Sequence, residues 1–310
     1  MSDRASIGNI AKLSIPIFFA NLVIPLVAIV DTGLMGNLDN ASYLTATSIA
    51  TSVFSLIFWS FGFLRMGTVG IVAQAHGSKE YDEIVNLVFR NIAFVILISL
   101  LLILCQKYIF TISLSIFELS DDTTKYFKEY FDLRIYSSFG ELTIYIITGL
   151  FIGLQRTTLS SVAVGFFSIT NILFSLLFVV YFDLDVQGVA LGTVISSTLT
   201  AVIFLSYTFF ELQKLTSIKI NFSKIFNVKK IQKLFNINFD IFIRSALLTF
   251  SFLFFTYLGN TIGEDVVAAN TILLNLIMLS AFILDAYAFS TEGIVGYSIG
   301  SKNKKLLTNV

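Results

Sequence analysis

Six polar side chains inside long apolar runs stand out: Asp31, Arg65, Glu141, Asn171, Asp285 and Glu292. Asp31 lies in residues 13–36, LSIPIFFANLVIPLVAIVDTGLMG, a stretch long enough to cross a hydrocarbon core as one helix. A carboxylate at that depth costs about 2.5–3.5 kcal/mol on insertion scales, so a functional role is its default reading. The chemistry on offer is reversible binding of a proton or a cation. A purely structural hydrogen bond between helices is the alternative. Both prolines of the chain, Pro16 and Pro25, sit in the same run, and each removes a backbone donor and invites a bend.

The remaining candidates are placed by helical spacing. Glu141, Tyr145, Thr148 and Gln155 form an i, i+4, i+7, i+14 stripe, which puts them on one helix face turned from lipid. Glu141 is a second candidate for ion coupling, with a packing hydrogen bond as its alternative. Asn171 reads either as an ion ligand or as an interhelical tie. Asp285 and Glu292 are seven residues apart and share a face with Asn275 and Met278, a pattern expected to line a substrate cavity. Arg65, in the middle of a span, must pair or reach water; a structural ion pair with Asp31 or Glu141 is expected.

Composition supports helices in a membrane. The 310 residues are 56% hydrophobic and only 13% charged, with a mean hydropathy of +0.85; soluble domains carry about 25% charge. The runs are too long for barrel strands. One cysteine, Cys105, and one histidine, His76, rule out a disulfide scaffold and leave too few ligands for a Cys/His metal site. No nucleophile–base set stands out, so no enzyme and no cofactor are expected. The run after Met1 is too long for a cleavable signal peptide.

Eight spans are predicted, at about 13–36, 44–77, 84–105, 135–155, 158–181, 187–210, 238–259 and 266–299. Two connections are long: 106–134, rich in both charges, and the basic 211–237. Lysine and arginine concentrate on one set of connections, including Lys12, Lys79, Arg156, Lys229 and Lys230, which places those and the N-terminus in the cytoplasm. The sequence also repeats. Residues 68–79, TVGIVAQAHGSK, align without gaps on 291–302, TEGIVGYSIGSK, and the offset, 291 less 68, is 223 positions. The same offset carries Gly36-Asn37 onto Gly259-Asn260. Both copies start from the same side, so the halves are parallel, with a site expected between them. Residues 1–210 form a first lobe of six helices, 211–237 a cytoplasmic linker, and 238–310 the first two helices of a second lobe. Four further helices are inferred to be missing.

Four motifs resemble the multidrug and toxic compound extrusion (MATE) transporters, in particular their DinF-like branch: VDTGLMG at 30–36, GFLRMGTVGIVAQAHG at 62–77, GLQRTTLS at 153–160 and DAYAFSTEGIVGYSIG at 285–300. The resemblance implies an all-α, two-lobed bundle of twelve helices. It also implies a secondary antiporter of the inner membrane that exports organic, often cationic or amphipathic compounds against protons or sodium. A lipid-linked glycan flippase of the same superfamily and an inactive fragment are the alternatives. The family's acidic residue of helix 1 matches Asp31, and its helix-1 proline matches Pro16. One departure stands out: the family commonly has Asn and then Asp four residues on in helix 5, whereas here Asn171 is followed by Ser175. The expected partners are a small organic substrate and membrane lipid, with no nucleic acid, the chain acting as a monomer.

Overall fold

The computed structural model describes residues 7–38, 41–117, 119–217, 222–262 and 264–309; beyond residue 221 the side chains of some helical positions, Asn275 and Met278 among them, lie outside the described residues. Among the described residues the secondary structure is helical. The elements are α1 (Ile7–Gly36), α2 (Ala41–Ser60), α3 (Phe63–Gly77), α4 (Tyr81–Leu104), α5 (Gln106–Ile116), α6 (Asp121–Arg134), α7 (Ser138–Gly153), α8 (Thr157–Leu176), α9 (Asp185–Leu215), α10 (Phe222–Ile225), α11 (Val228–Ile262), α12 (Glu264–Gly300) and α13 (Lys304–Asn309). Six helical stretches among the described residues, from Gly8–Gly36 to Asp185–Leu215, are long and apolar enough to cross a bilayer. Lipid offers the backbone no hydrogen bonds, so helices that satisfy their own amides are the available solution.

Three expectations about the elements change. The second span is two helices: after Ser60 the amides of Phe61 and Gly62 bond three residues back, to Phe58 and Trp59 at 2.9 and 3.0 Å, and the tightened turn separates α2 from α3. The 106–134 connection is helical rather than loop. Ser120 caps α6, accepting from the Thr123 amide at 3.4 Å, and Phe127, Tyr130 and Phe131 bury themselves on one face. A three-residue 3₁₀ turn, Ile135–Ser137, then joins α6 to α7, so polar α6 and apolar α7 form one continuous stretch. The 211–237 linker is also largely helical, because α9 runs on to Leu215 and α11 begins at Val228.

Within that linker, Ile225 is buried and its carbonyl accepts from the Arg90 Nε at 2.9 Å. Glu83 takes Arg90 at 3.6 Å and also pairs with Lys230. The beginning of α11 is therefore fastened to the start of α4.

Contacts between the two copies of the repeat are reciprocal. A Cβ on Gly77 would run into the Tyr297 carbonyl oxygen, and one on Gly300 would run into the backbone of Gln74. Positions 77 and 300 are repeat equivalents, and so are 74 and 297. Between them Ala73 faces its own equivalent, Gly296, with 2.6 Å left for an added Cβ. The two helices thus meet across a local twofold axis, backbone against backbone, and only glycine permits that approach. Ser14 on α1 reaches Ser290 on α12 at 2.6 Å, a further tie across the same seam.

Gly300→Val should lower the stability of the purified protein by about 1–3 kcal/mol, the usual cost of overpacking, in a detergent thermal-unfolding series. Gly165→Ala, at a glycine with nothing within 4 Å of its absent Cβ, should leave it unchanged or slightly raised.

Candidate functional site

Two groups of polar side chains emerge. The first lies inside the bundle of α1, α7, α8 and α9. Asn171 and Ser175 are one turn apart on α8 and both are buried. The Asn171 Nδ2 donates to Thr193 Oγ1 at 2.9 Å and to Ser196 Oγ at 3.4 Å on α9. Its carbonyl oxygen is thereby turned away from α9 and remains buried with no partner. Ser175 Oγ and Asp31 Oδ1 are likewise buried without a hydrogen bond. Ser175 nevertheless adjoins the Asp31 carboxylate, and the charge of Arg134 acts on it. Buried oxygens are normally satisfied, and unsatisfied ones carry a desolvation cost of about 1–3 kcal/mol each. Asn171 Oδ1 is thus a buried acceptor left open one helical turn from Ser175, whose hydroxyl adjoins the Asp31 carboxylate.

Glu141 does not stand free beside them. Arg134 Nη1 grips its Oε1, and Ser137 Oγ donates to the same oxygen at 2.9 Å. The Arg134 and Glu141 side chains are 12% and 16% exposed, and the guanidinium lies 5.2 and 5.3 Å from the rings of Phe54 and Phe58. Glu141 is thus half of a desolvated ion pair. Arg134 escaped the sequence reading because the charged run 121–134 reads as a loop. Its seven-residue spacing to Glu141 was the available signal, since the two share a helical face. Thr148, on the Glu141 stripe, spends its hydroxyl on its own helix, on the carbonyls of Ile144 and Tyr145 at 2.8 and 3.0 Å.

The second group lies where α3, α11 and α12 meet. Arg65 pairs with neither Asp31 nor Glu141, the partners expected for it; Glu141 is already held by Arg134. Instead its guanidinium sits 3.9 Å above the ring of Phe289 on α12. Asp285 and Glu292, one turn before and one turn after Phe289, are the carboxylates whose charge it feels. Arg244 of α11 feels Glu292 as well, and its Nη2 donates to the Met66 sulfur at 3.6 Å. Asp285 is exposed, Glu292 is half-buried, and the Asn275 and Met278 side chains lie outside the described residues. Helix α1 continues unbroken through Pro16 and Pro25. Two ties to α12 bracket Pro16: Ser14 to Ser290, and Asn21 Nδ2 to the Phe282 carbonyl at 3.4 Å.

Comparison with known proteins agrees with this architecture. The chain is 28% identical over 309 residues to the DNA damage-inducible protein F of Escherichia coli K12, covering all of this chain and 66% of that protein. It is 22% identical over 251 residues to the multidrug export protein MepA of Staphylococcus aureus RF122, covering 80% of this chain and 55% of MepA. The chain therefore spans between about half and two thirds of the length of these curated relatives. Among solved structures it resembles a MATE in the bent conformation, with a TM-score of 0.86, 18% identity, and coverage of 99% of this chain and 67% of that one. A MATE in the straight conformation matches with a TM-score of 0.83 and 18% identity over 96% of this chain and 66% of its own. A MOP superfamily transporter from Pyrococcus furiosus matches with 0.84 and 19%, over the same shares. Residues 16–177, more than half of this multi-pass helical membrane protein, match the MatE family, and the chain belongs to it.

Proposed function

We propose that this chain carries the ion-coupling lobe and the start of the substrate lobe of a secondary antiporter. The antiporter exports organic, cationic or amphipathic compounds in exchange for an inward ion. The observation that carries the reading is the Asp31 carboxylate beside Ser175, one helical turn along α8 from Asn171, with Asp31 Oδ1 and Asn171 Oδ1 each buried and without a hydrogen-bond partner among the described residues. The relatives' names, a multidrug export protein among them, support the same reading. The coupling ion, a proton or sodium, is a transported species that occupies this pocket. Asp31 supplies its charge, Asn171 and Ser175 supply neutral oxygens, and Thr193 and Ser196 fix the orientation of the Asn171 amide. The Arg134–Glu141 pair balances charge beside the pocket. Residues 1–210 act as one lobe and 238–310 as the beginning of the other, with the basic connections and the N-terminus in the cytoplasm of an inner-membrane monomer. Pro16, between the two ties to α12, is where α1 bends when the pocket changes occupancy, and Pro25 allows a second bend closer to Asp31. Substrate passes between the lobes along the face that bears Asp285 and Glu292, where Asn275 and Met278 also fall by spacing.

In energised inverted vesicles bearing the protein, ethidium accumulation should stop when one of the two ion gradients is removed. Asp31→Asn should lower it at least about tenfold, an energy of about 1.4 kcal/mol; undiminished accumulation in that variant would sink the assignment. Glu141→Gln should destabilise the protein by about 3–5 kcal/mol, the cost of leaving a buried guanidinium unpaired, and the double variant with Arg134→Gln should recover most of the loss. Thermal unfolding of the two single variants and the double variant measures both. Equal losses in Glu141→Gln and the double variant would mean that the pair is not the unit argued for.

A further inference from the structure

The first lobe grips the start of α11 more firmly than it holds the described residues farther along that helix. Arg90, buried on α4, donates its Nε to the Ile225 carbonyl at 2.9 Å and reaches Glu83 at 3.6 Å. Glu83 also takes Lys230, on the first turn of α11. Asn227 closes the same turn, its Oδ1 accepting from the Lys230 amide at 3.3 Å. One turn on, Leu234 is buried in a cluster with Val72, Ile84, Leu150 and Leu212, which belong to α3, α4, α7 and α9. Farther along, the grip loosens. Asn238 is buried beside Gly67, but its Oδ1 has no partner among the described residues. Phe242 meets Phe63 edge-on at 6.2 Å, and Arg244, an exposed side chain, donates to the Met66 sulfur, a weak acceptor.

α11 is one unbroken helix from Val228 to Ile262, and between Val228 and Leu258 it contains neither proline nor glycine. Sharp bends gather at such residues, so this helix moves as a rod, in contrast to α1 with Pro16 and Pro25. A rod held at one end by one lobe and continuing into the other turns about the held end. The closest approaches between the repeat's halves, Gly77 to Tyr297 and Gly300 to Gln74, lie at the same end of the bundle, where α3 gives way to α4. Resting on the antiporter reading, we propose that this end is the pivot of the second lobe. α10 and the first two turns of α11 remain a fixture of the first lobe throughout the transport cycle, and the rest of α11 swings about them. Phe250 lies 22 residues beyond Val228 (250 less 228), about 33 Å along the axis, so a turn of about 10° carries it about 6 Å. The paired and buried contacts near the pivot hardly stretch in such a swing. The edge-on rings and the sulfur contact farther out open with little loss, and α1, tied to α12 through Ser14 and Asn21, follows by bending at its prolines.

The test measures two distances by pulsed electron paramagnetic resonance on spin-labelled protein in a Cys105→Ser background. One pair, Ser78→Cys with Val228→Cys, spans the proposed pivot; the other, Tyr108→Cys with Phe250→Cys, spans its far end, and all four side chains are exposed. Under acid and alkaline conditions, with and without sodium, the first pair should keep one narrow distance while the second shifts by several ångströms. Arg90→Gln should broaden the 78–228 distance. Lys230→Gln, at a side chain 48% exposed, gives the same comparison in a variant whose folding is little threatened, and it should broaden the distance in part. A 78–228 distance that shifts as much as the 108–250 distance overturns the proposal, and so does a 108–250 distance that stays fixed in every condition. A 78–228 distance that stays narrow in both variants overturns the role of the Arg90 clasp. Ethidium transport is read separately in vesicles. Transport with a moving 78–228 pair leaves the antiporter reading standing without the pivot, and a fixed 78–228 pair with a moving 108–250 pair but no transport does the reverse.

Discussion

Charge in a medium that cannot solvate it is the constraint on which this structure depends. A guanidinium or carboxylate away from water must be neutralised, paired or supplied with a ligand, and pairing is favourable only when geometry and hydrogen bonds are good. Arg134 meets that demand with Glu141, Ser137 and two phenylalanine rings. Arg90 meets it with Glu83 and the end of a short linker helix. At Asp31 in the first lobe and at Arg65 along the seam, no such ion pair is made among the described residues: Asp31 has a buried oxygen without a partner, and Arg65 lies over the Phe289 ring. The contrast between paired and unpaired charge is what motivates the proposed ion site at Asp31.

The two unmet sites sit on helices that also carry the seam. α1 holds Asp31 near one end and, nearer the other, Ser14 and Asn21, which tie it to α12. α12 in turn carries Asp285, Phe289 and Glu292. In the proposed antiporter, a bend of α1 at Pro16 would reach α12 through these two hydrogen bonds and the packing between them. Coupling of this kind requires no wire of specialised residues, only one bendable helix clamped at two heights to its neighbour.

Much of this was legible in the sequence, for definite reasons. Asp31 announced itself because a lone charge in an apolar run has few explanations, and Asn171 because it matches the asparagine of the helix-5 pair that the resemblance to MATE transporters implies. The repeat at an offset of 223 residues was visible as plain identity, and its reciprocal contacts follow from symmetry. What the sequence concealed was pairing. Glu141 read as either an ion-coupling carboxylate or a packing hydrogen bond, and its partner was missed because Arg134 sits in a segment whose charge density resembles a loop; only the spacing of Phe127 and Phe131 hinted at a buried helix face. Arg65 was assigned the wrong neighbours because several carboxylates lie at bilayer depth and spacing along one helix cannot choose among those on others. The break between α2 and α3 hid for a similar reason, since hydropathy runs straight through Phe61 and Gly62.

The self-facing contact of Ala73 with Gly296 has a mechanical meaning. It lies on the local twofold, so the approaches on either side of it, Gly77 to Tyr297 and Gly300 to Gln74, are images of each other. Sliding α3 along α12 would tighten one of these and loosen the other, and the backbone overlap at both glycines resists that. A scissoring of the two helices about the axis through 73 and 296 changes both equally and leaves the centre in place. The close glycine contacts therefore oppose shear between α3 and α12 more directly than scissoring about the 73–296 contact. The lever arms of that scissoring are the stretches of α3 and α12 that carry Arg65 and Asp285.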